Sequence, residues 1–342
     1  MLSRKRLVLP QIKALLLIAL LAACSQGAEY AANSSANAVD LILRQPGDLH
    51  AVQIREGDLL HVVATTSIVA DVVSNVGGDA IELNSIIPRM TDPHGYQLTP
   101  GDLRTLHDAD VVFINGLGLE NVLAQSLSQL PEDIPIVSLS EGIQLREFTA
   151  ERTDSSADQE PETHAETGID PHVWFDPLNI IVWTDNAAQS LIALDPANEA
   201  SFQVNSESFH NQLEDLHTWI LTQLTGIPQP ERKLVTDHLL MGYFAQRYDF
   251  EILSALLPAF SSTASPSAQE LADIQDRIRQ YRIKAIFVGM TSNSRIAEQM
   301  AFDTSVAVVP LYTGALSDIN GPASTYLTFM QYNVRAIATA LK

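Results

Sequence analysis

Along this chain, short apolar runs alternate with stretches whose apolar residues recur at helical spacing. Leu60-His61-Val62-Val63-Ala64-Thr65, Val111-Val112-Phe113-Ile114 and Ile134-Pro135-Ile136-Val137 read as strands of a first half. Lys233-Leu234-Val235-Thr236, Ala285-Ile286-Phe287-Val288 and Val306-Ala307-Val308-Val309 read as strands of a second. Apolar strands alternating with helix-length segments are the pattern of parallel sheets in the α/β class. Two such sets predict two lobes, at 58–195 and 227–342.

Between them, Asp195-Pro196 offers an N-cap followed by proline at the first helical position, and no Gly or Pro interrupts the chain until Gly226. Phe202, Phe209, Leu213, Leu216, Ile220 and Leu224 recur at steps of three, four or seven, one apolar helical face. The pattern predicts a single rigid helix over 196–226, roughly 45 Å long at about 1.5 Å per residue, joining the lobes.

One segment breaks the rhythm. Glu147 to Gly168 carries Glu147, Glu151, Asp154, Asp158, Glu160, Glu162 and Glu166 among very few apolar residues, so an acidic loop is expected at 147–168. His164 within it reads as a solvated side chain, with weak metal scavenging as the alternative. Removal of 151–167 is expected to leave folding intact.

The first residues bear on compartment. Arg4, Lys5 and Arg6 precede an apolar run that closes on Leu21-Ala22-Ala23-Cys24. This is a basic start, a short apolar centre and a small-residue cleavage site, and the run is too short to cross roughly 30 Å of hydrocarbon. Residues 1–23 therefore read as a lipoprotein signal peptide, Cys24 as the acylated anchor, and 24–57 as a tether. Cys24 is the only cysteine, so no internal disulfide forms. The expected location is extracytoplasmic, on a membrane surface.

Removing the signal, which holds four cations and no acid, takes the formal charge from −21 to −25. That excess disfavours nucleic-acid partners.

The chemistry rests on three of nine histidines. Asp92-Pro93-His94 and Asp170-Pro171-His172 repeat one tripeptide, and Val235-Thr236-Asp237-His238 sets a third histidine at a strand end, where α/β folds place ligand groups. Proline fixes φ near −65° and restricts its predecessor, so His94 and His172 each project from a stiff turn. The aspartates either orient the imidazoles through their ring nitrogens or simply close Asx-turns. His50, His61, His107, His210 and His217 fit strand or helix faces and need no role.

Longer motifs carry a resemblance. Val63-Ala64-Thr65-Thr66-Ser67, Val76-Gly77-Gly78-Asp79, Asp92-Pro93-His94-Gly95-Tyr96-Gln97-Leu98-Thr99-Pro100 and Asn115-Gly116-Leu117-Gly118-Leu119-Glu120 are similar to the opening of the zinc/manganese solute-receptor family of the ZnuA and TroA kind. Asp170-Pro171-His172-Val173-Trp174-Phe175-Asp176-Pro177, Val235-Thr236-Asp237-His238 with Gly242-Tyr243-Phe244, and Tyr326 to Asn333 continue it. The resemblance implies two α/β lobes joined by one long helix, with His94 and His172 from the first lobe and His238 from the second holding a metal ion in the interlobe cleft. It implies Zn(II) as the transported ligand, with Mn(II) as the alternative. It further implies delivery by a monomer to an ABC importer, meaning a membrane permease and its ATPase; a metal-binding adhesin or metallochaperone is the runner-up.

Some positions depart from the family pattern. Leu239-Leu240-Met241 follows the third histidine, Gly289 stands where an acid is common, and Gly314-Ala315-Leu316 stands where an aspartate ligand often occurs. The fourth ligand is then expected to be water or a nearby carboxylate such as Asp318. Gly314→Asp is expected to raise manganese affinity more than zinc affinity, and imidazole protonation to weaken binding between pH 6 and 5. No His-Glu-x-x-His or Gly-x-Ser-x-Gly pattern accompanies the histidines, so catalysis is not expected.

Overall fold

The computed structural model describes residues 41–55, 57–149, 167–257, 259–263 and 265–342. The signal segment, Cys24 and His164 lie outside the described residues. The first half holds β1 (Leu60–Ala64), α1 (Ser67–Gly77), β2 (Ile81–Ser85), α2 (Pro100–His107), β3 (Val111–Ile114), α3 (Ala124–Leu127) and β4 (Ile136–Ser138). A two-stranded ribbon, β5 (Glu147–Thr149) and β6 (Thr167–Ile169), then leads to α4 (Pro177–Leu194) and α5 (Glu199–Leu224). The second half holds β7 (Lys233–His238), α6 (Gly242–Tyr248), β8 (Glu251–Leu257), α7 (Ala268–Gln280), β9 (Ala285–Gly289), α8 (Arg295–Thr304), β10 (Ala307–Leu311) and α9 (Tyr326–Leu341).

Both four-stranded sheets are parallel, in the orders β2-β1-β3-β4 and β10-β9-β7-β8. Helices cover each sheet on two sides, which is why β3 and β9 are apolar and buried at every position. In each sheet the chain winds one way and then reverses, between β1 and β3 and between β7 and β9. Open α/β sheets bind ligands beyond the strand ends at such reversals.

Two expected features differ in detail. The long helix begins at Glu199, after a separate turn at Pro196–Asn198, because the Asp195 carboxylate accepts a hydrogen bond from the Asn198 side-chain amide (2.6 Å) and caps no backbone N–H. Its apolar stripe, Phe202, Phe209, Leu213, Leu216, Ile220 and Leu224, is buried as the spacing predicts. The acidic segment begins and ends in the β5–β6 ribbon, with Glu147 opposite Ile169 and Thr149 opposite Thr167. Within the stretch expected to be a tether, residues 41–55 pack on the first half, at the edge of its sheet and on α4. Leu43 bridges to Ile136, and the Val52 N–H donates to the Leu194 carbonyl (2.8 Å).

One core runs through α1, α4, α5 and α9 and reaches both sheets, so the lobes share their packing. The outer face of each sheet has its own smaller core. No helix among the described residues is long and apolar enough to cross a membrane.

Candidate metal centre

Each of the three histidines is set by a neighbouring aspartate. The Asp92 carboxylate accepts the His94 backbone N–H (3.0 Å), Asp170 that of His172 (3.0 Å), and Asp237 that of His238 (2.8 Å). In the two buried cases the same carboxylate oxygen also accepts the imidazole Nδ1–H, at 2.9 Å for Asp170 and His172 and 2.9 Å for Asp237 and His238. A carboxylate accepts only, so Nδ1 carries the proton and Nε2 keeps its lone pair for a ligand. Asp170 and Asp237 thus close the turn and orient the ring together. Asp92 closes the turn alone, its other oxygen taking the Ser262 hydroxyl.

The fold brings all three rings together. Their ligand nitrogens lie within 4.8 Å of one another, and no Cys, Asp or Glu joins the group among the described residues. His94 Nε2 and His172 Nε2 stand 3.3 Å apart. For a tetrahedral ion with zinc–nitrogen distances of roughly 2.0–2.1 Å, two ligand atoms sit about 3.3–3.4 Å apart, so this pair already spans one tetrahedral edge. His172 is 1% exposed and His238 3%, while His94 is half-buried.

Burial, reinforced by the neighbouring imidazoles, pushes His94 down to about 2. Burial also lowers His172, against the opposing pull of Asp170. Burial works to raise Asp237, but its hydrogen bonds from His238, Ser292 and the Gly289 N–H bring it down to about 2. At neutral pH His94 is therefore a bare imidazole and Asp237 an ionised carboxylate. The sign for binding follows: protons compete with metal only below a ligand's own pKa, so His94 loses nothing between pH 7.5 and 5.5, and burial moves proton competition at His172 in the same direction. Three ordinary imidazoles at about 6.5 would cost roughly a thousandfold at pH 5.5. Chelator-competition titrations should show a clearly shallower fall than that; a thousandfold fall would refute the depressed values. The decline expected between pH 6 and 5 from reference imidazoles should accordingly be shallower.

Several contributors had little sequence signal. The segment after β8 crosses from the second lobe, with Phe260 6.3 Å from the His172 ring and Ser262 on Asp92. Trp174 packs edge-on against His172 (5.2 Å) and donates its indole N–H to the Thr313 carbonyl (2.9 Å). Asp237 stood in a quoted motif without a role, although its place beside His238 was signal enough. Its second oxygen accepts the Gly289 N–H (2.9 Å), so the backbone serves where the family pattern has an acid.

Gly314 sits against the first Asp-Pro-His turn. A Cβ there would meet Pro93 Cδ at 2.6 Å and Cγ at 3.0 Å. Asp318, considered above as a swinging carboxylate, is exposed and outside the cluster.

A family model described as "Zinc-uptake complex component A periplasmic" matches residues 62–340. The manganese-binding lipoprotein MntA of Halalkalibacterium halodurans is 28% identical over 287 residues, 84% of this chain and 90% of that protein. Among solved structures, a Mn-bound periplasmic metal binding protein from Candidatus Liberibacter asiaticus aligns with TM-score 0.71 at 25% identity, covering 83% of this chain and all of that one. The periplasmic zinc binding protein TroA from Treponema pallidum aligns with TM-score 0.73 at 27% identity, covering 83% and 99%.

Proposed function

The chain belongs to the family described as zinc-uptake complex component A, and from that membership and its three converging imidazoles we propose that it is an extracytoplasmic metal receptor. It captures one divalent ion on His94, His172 and His238 and delivers it to the permease and ATPase of an ABC importer. Cys24 holds the monomer on the membrane through its lipid. Nothing in this role requires a catalytic step.

Zinc is the ion proposed. The observation that carries it is the donor set: three imidazole nitrogens with no carboxylate within the same reach among the described residues. Zinc accepts three such nitrogens with water in the fourth place, whereas manganese is the harder ion and favours carboxylate and carbonyl oxygens. A manganese receptor is the second reading, favoured by the names of MntA and of the Liberibacter structure.

Native mass spectrometry of the chain with equal zinc and manganese separates these. One zinc per chain, held at least about a hundredfold more tightly than manganese, is the expected result, following the general affinity order. Preference for manganese would replace the zinc reading with the second one. Absence of any one-to-one complex would overturn the receptor itself.

A further inference from the structure

The turn after β3 is strained, and part of its hydrogen bonding leads to the metal centre. Gly116, Leu117 and Gly118 are three consecutive residues at positive φ (85°, 56° and 84°), and Leu117 has no glycine's freedom there. A side chain at Gly116 would strike the Ser138 hydroxyl. The turn encloses the Glu120 carboxylate. One oxygen accepts the Asn115 N–H (2.7 Å) and the Thr65 hydroxyl (2.9 Å), and the other accepts the Gly116 N–H (3.0 Å).

Burial still pushes Glu120 up to about 7 despite these bonds, so the carboxylate is held there at a cost in stability. Asn115, fully buried, donates its side-chain amide to the Gly116 carbonyl (2.7 Å) and to the Pro171 carbonyl (3.2 Å), while its own Oδ1 has no hydrogen-bond partner among the described residues. A buried acceptor left unpaired is expensive, and the amide is oriented to serve its two donations instead. Pro171 is the residue immediately before His172. The path from Glu120 through Asn115 therefore ends on the peptide that aims a proposed ligand.

We infer that Glu120 and Asn115 are positioning residues for the metal site, Glu120 fixing the β3 turn so that the Asn115 amide holds the second Asp-Pro-His turn in its ligating pose. This rests on the proposed metal-receptor role. Glu120→Gln puts a donor opposite an N–H that needs an acceptor, and Asn115→Ala removes the amide while keeping the backbone N–H that Glu120 binds.

Zinc affinity is read by chelator competition on the full chain, alongside thermal unfolding. Each variant should bind about fivefold to tenfold more weakly, and the double variant no more weakly than Asn115→Ala alone. The losses should persist in a His238→Ala background and vanish in His172→Ala, a dependence that a general loss of stability would not produce. Additive losses, or equal losses in both backgrounds, would overturn the coupling. If Glu120→Gln fails to fold, Asn115→Ala decides alone, and unchanged affinity there overturns it. Failure of the wild-type chain to bind zinc would overturn the receptor role instead.

Discussion

His172→Ala should lower zinc affinity by at least about a hundredfold, because residues that only orient a ligand typically cost ten- to a hundredfold and His172 is proposed to touch the ion. The three rings form a nearly equilateral triangle, with centroids 5.4 Å apart for His94 and His172, 5.3 Å for His172 and His238, and 5.5 Å for His94 and His238. Removing it leaves two nitrogens and strands Asp170, a buried carboxylate whose ring partner is gone. Some loss of apo stability should accompany the change, since buried Asp170 keeps the backbone N–H of residue 172 but loses its hydrogen bond to the ring. Chelator competition with parallel thermal unfolding separates the two effects. His210→Ala, at the α5 histidine that faces Asp185 at 3.1 Å, should leave affinity unchanged and serves as the control. Wild-type affinity in the His172→Ala protein would remove this site.

Gly314→Asp should weaken binding of zinc and manganese alike, by about thirtyfold, reversing the gain in manganese affinity that the family pattern suggests. The added Cβ falls 2.6 Å from Pro93 Cδ, well inside contact distance, and Pro93 is the rigid element that aims His94. Overpacking of this kind costs typically about 1–3 kcal/mol, and about 2 kcal/mol taken from the bound geometry is roughly a thirtyfold loss. Gly314→Ala adds the same Cβ without a carboxylate and should reproduce most of the loss. If Gly314→Asp instead binds manganese more tightly than the wild type, the turn yields to the aspartate and the steric account fails.

The interlobe contacts around this point explain why so little space remains. The Met90 N–H donates to the Leu316 carbonyl (3.0 Å), and the Leu316 N–H donates to the Ser67 hydroxyl (3.0 Å). Arg89 donates to the Ser317 (3.0 Å) and Ser324 (2.7 Å) carbonyls. The segment leading to His94 belongs to the first lobe by sequence, yet the second lobe holds it in place.

Which strands could be read in advance follows from how apolar they are. The central strands β1, β3, β7 and β9 each hold a buried apolar run, Val62-Val63-Ala64, Val111–Ile114, Leu234-Val235 and Ala285–Val288, and the edge strands β4 and β10 are apolar enough to be read as well. Edge strands β2 and β8 are only partly covered, and Ile81–Ser85 and Glu251–Leu257 mix polar with apolar residues, which hides them. The β5–β6 ribbon is three residues a side, too short to set a period.

By itself the sequence determined whatever depends on near neighbours: the apolar strands, the buried stripe of α5, the stiff Asp-Pro-His turns, and the three histidines worth testing. Periodicity and turn chemistry act over a few residues, so they survive in the linear string. Only the tertiary structure decided that Asp170 and Asp237 commit their histidines' Nδ1 protons, that Gly314 is closed by Pro93, and that Asn115 reaches the Pro171 carbonyl. Those contacts join segments 56 to more than 200 residues apart, or depend on which way a buried ring turns. Close packing between two lobes sets them, and no local pattern records it.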